Sequence, residues 1–356
     1  MLSDASYTAR LIEGYDLNTL RNVYVSTLPD GPRMDKPIEG FLKQRLSFSA
    51  DGAVSMEESG MGQSAVSEHV TETVMETIER FDLIPPGSSI VLGLSGGVDS
   101  GSLTMLLSKY RERSSRTDFS IMAATFQDFD SKHSAAFDYA AEIANKCGVE
   151  HGFIEAGLAE EVFNLKRPLA QVLMLLMETE DAHQAMYVDH HTTRRMIEVY
   201  ADEQKASQVA IGLHATDLLA GLLNSMSTGH ELGGIPGRTV GNYRYIFPLA
   251  FAQKRELHLF YAEELGHLPK QTTPNQWEFN PTDRNFYYYL ADHLQWIWPG
   301  VQNWMLTSQG LDDPGSEDFH QCENCSASVR DLRGAPEWIG ICDVCSLLEK
   351  HGWIGG

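Results

Sequence analysis

The chain has 356 residues, with 27 Lys and Arg against 49 Asp and Glu, which gives a formal charge of −22. An apolar fraction of 42% with 10% aromatic residues excludes wholesale disorder and is enough to build the cores of about two domains of ordinary size. A field this negative repels phosphate backbones, so the composition favours small-molecule chemistry, and a nucleic-acid partner would need a locally basic face.

Residues 1–67 mix Gly, Ser, Pro and acidic positions with short apolar runs and receive no functional assignment. MLSDASYTARL lacks the basic region and apolar run of an export signal. The longest apolar stretch, Ala170 to Met177 interrupted by Gln171, is far short of the roughly 18–20 residues of a membrane span. A cytoplasmic protein without membrane attachment is expected. From Ser67, SEHVTETVMETIERFDLI places Val70, Val74, Ile78 and Phe81 at helical spacing, and Pro85-Pro86-Gly87 stops the helix.

The run SSIVLGL then reads as a strand buried on both faces, followed by Ser95-Gly96-Gly97 and a helical pattern through Leu103, Leu106 and Leu107. FSIMAATF predicts a strand, His133 to Lys146 a helix, VEHGFIEA a strand, Leu165 to Gln204 a long helical stretch, and QVAIGLH another buried strand. Thr228 to Gly241, rich in glycine, reads as a mobile loop; helices are expected over Ala252 to Leu265 and Asn285 to Thr307. This alternation predicts an α/β fold with a doubly wound parallel sheet, whose ligands bind at the carboxyl ends of the strands. The expected divisions are an unassigned region 1–67, a glycine-loop domain 68–270, a helical extension 271–315 and a separate cysteine-bearing module 316–356.

Ser95-Gly96-Gly97-Val98-Asp99-Ser100 stands between strand and helix. Paired glycines let the backbone turn sharply and present N–H groups to an anion, and the helix dipole adds partial positive charge. Ser95 and Ser100 supply hydroxyls, and Asp99 suits a Mg2+ shared with phosphates. The loop has neither the GxxxxGK[ST] nor the GxGxxG spacing, so it is a third kind of phosphate loop.

These six residues resemble the SGGxDS signature of the N-type ATP pyrophosphatases, the PP-loop superfamily, whose members cleave ATP between the α and β phosphates and transfer AMP to a carbonyl or carboxylate oxygen. The resemblance implies an adenine nucleotide alpha hydrolase-like fold. HVTETVMETIERFDLIPPGSSIVLGLSGGVDS, the phrase Ile211-Gly212-Leu213-His214-Ala215-Thr216-Asp217, Pro248-Leu249 with Lys254 and Glu256, and the terminal CxxC pairs resemble the tRNA 2-thiouridine and 2-thiocytidine synthetase branch across about residues 68–350. Carried over, Ser95, Gly96, Gly97, Asp99 and Ser100 bind pyrophosphate and Mg2+. Asp217 is a second acidic residue on the Mg2+ or phosphate side, and Ala124-Thr125-Phe126 offers backbone groups to adenine. The sequence also departs from that branch. Aligned on Arg194-Arg195, Tyr187 and His190 stand where the thiolating members have reactive cysteines; Leu213 replaces a His, Thr216 an Asp and Ala220 a Glu.

Several other residues carry two readings each. Cys147, beside a Gly148 helix cap, is either a structural thiol or a persulfide carrier. Asp189-His190-His191, with His183, supply a metal ligand set, a general base or an activator of the nucleophile, or else a solvated or satisfied helix face. Arg194 and Arg195 contact the α-phosphate or a substrate anion, or are ordinary helix charges. Lys254 has the reach to neutralise charge on leaving AMP or pyrophosphate. Cys322-x2-Cys325 and Cys342-x2-Cys345 have zinc-ribbon spacing and predict a closed structural Zn2+ site.

The expected function is ATP-dependent adenylation of a carbonyl oxygen on a nucleobase-like or small-molecule substrate, releasing pyrophosphate, then replacement of that oxygen by sulfur or another nucleophile. An amide- or amidine-forming ligase of the same superfamily and a non-catalytic ATP-binding protein are the alternatives. ATP, Mg2+ and structural Zn2+ are the expected cofactors. A sulfur or nitrogen donor protein and self-association are considered as partners; the acidity weighs against tRNA.

Overall fold

The computed structural model describes residues 45–48, 54–57, 63–127, 134–228, 233–266, helical positions scattered between 287 and 306, 319–330 and 340–355. A short antiparallel hairpin, β1 (Arg45–Phe48) and β2 (Val54–Glu57), precedes helix α1 (Gln63–Arg80). The strand–loop–helix unit follows as β3 (Ser89–Gly93) and α2 (Val98–Arg113). Next come β4 (Ser120–Phe126), α3 (Ser134–Lys146), β5 (Glu150–Ile154), α4 (Ala156–Val162), α5 (Leu169–Leu176) and α6 (Ala185–Glu203). β6 (Gln208–Ala210), α7 (Ala215–Thr228), β7 (Gly237–Val240), β8 (Tyr243–Ile246) and α8 (Lys254–Glu264) complete the body.

The main sheet has the order β5-β4-β3-β6-β8-β7. All its pairs are parallel except the edge pair β7–β8. The expected α/β fold with a mostly parallel sheet is therefore present. From β3 the chain builds outward through β4 and β5, then returns to β3's other side with β6. That reversal opens a crevice at the carboxyl ends of β3 and β6, where open α/β sheets bind ligands.

Alternation along β3 explains how helices cover both faces. Ile90 and Leu92 join one core with Val70 and Val74 of α1, Leu103 and Leu106 of α2, Ile143 of α3 and Leu257 and Phe260 of α8. Val91 faces the other core, with Leu173 of α5, Val188 and Met196 of α6 and Val209 of β6. Each such side chain, fully buried, stabilises the fold by about 1.5–3 kcal/mol over exposure, so β3 is anchored from both sides and the loop after it starts from a fixed point.

Three expectations are corrected. The helical stretch from Leu165 to Gln204 is broken into α5, a 3-10 turn (Ala182–Gln184) and α6. Its break comes from a local bond: the Thr179 hydroxyl donates to Leu176 O at 2.8 Å and accepts the Asp181 N–H at 3.2 Å, which diverts the backbone from helical pairing. Thr228 to Gly241 is not a loop throughout, since β7 pairs with β8 and forms the antiparallel edge. The third concerns the C-terminal cysteine module, β9 (Phe319–Gln321), β10 (Ser328–Arg330) and α9 (Asp343–Lys350), which does not stand apart. Cys322, Cys325, Cys342 and Cys345, with Leu347, Leu348, Trp353 and Ile354, belong to the same buried core as Val91 and Val188. Leu165 and Ile354 form a β-bridge, and Lys166 N–H donates to Trp353 O at 2.9 Å.

Of the expected helix from Asn285 to Thr307, the described positions, including Tyr287, Tyr288 and Ala291, are helical; the rest, most of the region 1–67 and His133 lie outside the described residues. Among the described residues no helix is long and apolar enough to cross a membrane.

Candidate functional site

Leu94 to Gly97 carry the chain from β3 into α2. Leu94 N–H bonds Ala124 O at 2.8 Å, extending the β3–β4 ladder by one step. Gly96 then turns at φ +79°, a left-handed conformation that a side chain would strain. Gly97 is the N-cap of α2 and no side chain caps the helix, so its first N–H groups and its dipole suit an anion. The hydroxyls of Ser95 and Ser100 stand 3.1 Å apart, and Ser95 N–H donates to Ser100 Oγ at 3.2 Å. The two serines thereby close the turn on itself.

Three helix starts converge on this loop. Asp99 lies in the first turn of α2 and Asp217 in the first turn of α7. Lys254 is the first residue of α8, fixed by a capping box in which Gln253 N–H donates to Glu256 Oε2 at 3.0 Å. Lys254 Nζ reaches Asp99 Oδ2 at 2.6 Å. His214, fully buried, places Nε2 3.3 Å from Asp217 Oδ2 and 3.9 Å from Asp99 Oδ1. Burial pushes the Asp99 carboxyl up, but the Lys254 ammonium, with His214 and His258, outweighs it and holds the group below its ordinary value. In the sequence His214 stands out only within the phrase Ile211 to Asp217, and its spacing of three residues from Asp217 at a helix start is the one signal of its place.

A cavity of about 1180 Å³ opens beside the loop. Ser95, Asp99, Ser100, Asp217 and Lys254 line it on the loop side, and Phe126 adds an aromatic wall from β4. Tyr187, His190 and Arg194 of α6 line it further out, with Asp343, Leu347 and Lys350 of the cysteine module. The module therefore forms part of the cavity wall. Thr125 is placed differently from Phe126: its hydroxyl donates to Leu94 O at 2.6 Å and meets His151 Nε2 at 2.7 Å, so it braces the entry to the glycine loop from behind.

The paired residues of α6 part company. His190 lines the cavity, whereas His191 is buried, with Nε2 3.8 Å from Cys325 Sγ and 3.7 Å from Cys342 Sγ. The side chain of His183 lies outside the described residues. Arg195 donates Nε to Cys325 O at 2.7 Å and Nη1 to the fully buried Glu198 at 3.2 Å. Arg194 has Nε 3.6 Å from Glu198 and donates to Ser328 O at 3.3 Å, while still lining the cavity. Tyr245 completes the network through a hydrogen bond to Glu198. Both arginines thus fasten the cysteine module to α6.

Cys322, Cys325, Cys342 and Cys345 are buried, and their Sγ atoms lie within 4.8 Å of one another, Cys325 and Cys342 at 3.9 Å. Thiolates at the ~2.3 Å of a zinc–sulfur bond stand roughly 3.8 Å apart in a tetrahedron, so the spacing suits one four-coordinate ion. Asn324 donates to Cys345 Sγ at 3.3 Å and the Cys342 N–H to Cys322 Sγ at 3.3 Å, the outer bonds a thiolate set requires. Cys147 lies elsewhere, in the core beneath α2 and α3, where burial pushes its thiol up to about 12. The structural reading of that residue fits its surroundings.

Residues 89–164 match the family model described as asparagine synthase. The chain is 24% identical over 196 residues to a tRNA-cytidine(32) 2-sulfurtransferase of Chromobacterium violaceum, covering 54% of this chain and 56% of the relative. It is 25% identical over 202 residues to that of Escherichia coli, covering 55% and 58%. The chain thus spans somewhat over half the length of these curated relatives. Among solved structures, the U34-tRNA thiolase NcsA from Methanococcus maripaludis with its [4Fe-4S] cluster is similar over 87% of this chain and 98% of that one, with a TM-score of 0.59 and 17% identity, which shows a shared fold.

Proposed function

Because the chain carries a PP-loop domain with tRNA sulfurtransferase relatives, we propose that it is an ATP pyrophosphatase that adenylates a carbonyl oxygen on a nucleobase-like substrate and then replaces that oxygen. The observation that supports this most is the convergence of the glycine loop, Asp99, Lys254 and Asp217 on one cavity at the sheet's switch point.

Ser95, Gly96, Gly97 and Ser100 seat the β and γ phosphates on backbone N–H and hydroxyl groups. Asp99 and Asp217 would hold a Mg2+, which would neutralise phosphate charge. Phe126 shapes the adenine side, and Thr125 holds that strand end against the loop entry through Leu94 O. Lys254 turns from Asp99 toward the phosphates and stabilises the charge that develops as the α–β bridge breaks. The substrate oxygen attacks the α-phosphorus and pyrophosphate leaves. A nucleophile then adds to the activated carbon and AMP departs with the original oxygen. Arg194 and His190, on the outer wall, orient the second substrate and the nucleophile.

No cysteine lines the cavity among the described residues: Tyr187 and His190 occupy that wall, and Cys147 is buried in the opposite core. This supports free sulfide, ammonia or an amine, or a donor protein, as the source of the nucleophile, and keeps the amide- or amidine-forming ligase as the second reading. The four module cysteines would hold one structural Zn2+, a reading supported by their mutual spacing. The charge of −22 favours a small nucleobase substrate over tRNA, and the protein is assigned to the cytoplasm.

Purified protein with ATP, Mg2+ and candidate nucleosides is expected to release AMP and pyrophosphate. Release of ADP and phosphate, or no turnover with nucleosides, nucleotides or tRNA, would refute the enzyme reading. Asp99→Ala is expected to lower pyrophosphate release by about 10²–10³-fold, the usual cost of a group that stabilises transition-state charge. A gel shift with tRNA at low salt separates the two substrate classes.

A further inference from the structure

We infer that His214 is a positioning residue for the divalent cation: its buried imidazole holds Asp99 and Asp217 as a pair, so that both carboxylates meet the ion that accompanies the nucleotide. This rests on the reading of the glycine loop as an ATP site.

The two acids come from different elements, the first turns of α2 and α7. Nothing in the local geometry of either helix sets their separation. One atom links them: His214 Nε2, 3.3 Å from Asp217 Oδ2 and 3.9 Å from Asp99 Oδ1. With carboxylates on that side, Nε2 carries the ring proton. The His214 backbone N–H donates to Asp217 Oδ2 at 3.3 Å, which sets that carboxylate against the imidazole. The pair is further set by close packing, since a Cβ on Gly212 would lie 3.2 Å from the Asp99 carbonyl carbon. The segment carrying His214 therefore presses directly on the start of α2.

Lys254 and His214 contribute differently. Lys254 neutralises Asp99 from the end of a flexible chain, which suits a group that leaves when phosphates arrive. The His214 side chain is 1% exposed and its ring stands edge-on to Tyr288, with centroids 6.2 Å apart. It has no room to leave, so it keeps the acids in place when Lys254 turns away. At these distances the imidazole acts on the two carboxylates through its position and its charge distribution, and loss of such an outer partner of metal-binding carboxylates usually costs about 10–100-fold in metal affinity.

The test measures binding of α,β-methylene-ATP by calorimetry over a range of Mg2+ concentrations. His214→Leu fills the site without a donor. It is expected to need at least about 10-fold more Mg2+ for half-maximal binding, with affinity at saturating Mg2+ within about twofold of wild type. His214→Asn, whose amide ends near the imidazole Nδ1 and short of both acids, should show the same rise and serves if the leucine variant does not fold. His214→Gln, whose amide reaches the Nε2 position, should restore most of the wild-type requirement. An unchanged Mg2+ requirement in a folded Leu or Asn variant overturns the inference, as does wild-type binding that ignores Mg2+, which leaves the loop reading standing. Failure of wild type to bind the analogue at any Mg2+ concentration overturns both.

Discussion

Asp99 balances burial against the Lys254 ammonium 2.6 Å away, and the cation prevails, so its folded pKa lies below the ordinary 3.8. A depressed carboxylate stabilises the fold at neutral pH and loses that contribution only as the pH falls through its lowered pKa. Lys254→Met removes the largest of the groups that lower the Asp99 pKa and leaves His214 and His258 against burial. The folded pKa rises, and the variant should lose about 1–2 kcal/mol at pH 7, less than a fully buried pair because Asp99 is 30% exposed. Urea unfolding from pH 7 downward checks this: the deficit should shrink as the pH falls and Asp99 takes up its proton. Cys147 is a second case. With its thiol pushed up to about 12 by burial, it should resist a thiol reagent at pH 8 until the protein unfolds. Cys147→Ser should cost about 1–3 kcal/mol for an added buried hydroxyl and leave pyrophosphate release unchanged. At this scale the sequence named Asp99 and Lys254 but not their contact. They are 155 positions apart, and no periodicity or spacing encodes so distant a pairing.

Elements set the precision of the site. The segment after β6 meets the start of α2 so closely that a Cβ on Gly212 would sit 3.2 Å from Asp99 C and 3.3 Å from both Asp99 O and Ser100 N. Backbone, unlike a side-chain tip, yields little. Gly212→Ala should therefore cost about 1–3 kcal/mol as overpacking and displace Asp99 and Ser100 by a few tenths of an ångström. A fall of about tenfold or more in pyrophosphate release is expected; a stable variant with full activity would contradict the close approach. Strands and helices were mostly legible here because β3 and α2 carry their own apolar patterns. The break between α5 and α6 was not, because the polar run Glu178 to Asp181 also reads as a solvated helix turn, and it is the Thr179 hydroxyl that ends the helix there. The strand β7 was also hidden. Its residues Gly237–Val240 are glycine-flanked and have strand character only through pairing with β8.

Across the whole molecule, the cysteine module is built into the core of the glycine-loop domain and lines the cavity through Asp343, Leu347 and Lys350. A metal held by the four cysteines would therefore be coupled to the shape of the cavity. Cys325→Ser should reduce bound metal from one ion per chain to a small fraction, measured by elemental analysis. It should lower stability by at least about 3 kcal/mol, part of the roughly 10 kcal/mol that zinc supplies to a small module. Binding of an ATP analogue at the glycine loop should persist while turnover of the second substrate falls, because the loop is anchored by β3 and α2 and the outer wall is not. Equal loss of both would mean that the module supports the fold alone.

The sequence by itself determined what is local: the strand–glycine-loop–helix unit, the α/β alternation and the two CxxC pairs, each specified by neighbouring residues and their periodicity. Only the tertiary structure decided that Lys254 lies on Asp99, that His214 stands between two acids, that His190 and His191 face different sites, and that a terminal module walls the cavity. Those arrangements depend on how helices pack across the sheet's two faces, and packing joins residues whose separation along the chain carries no signal.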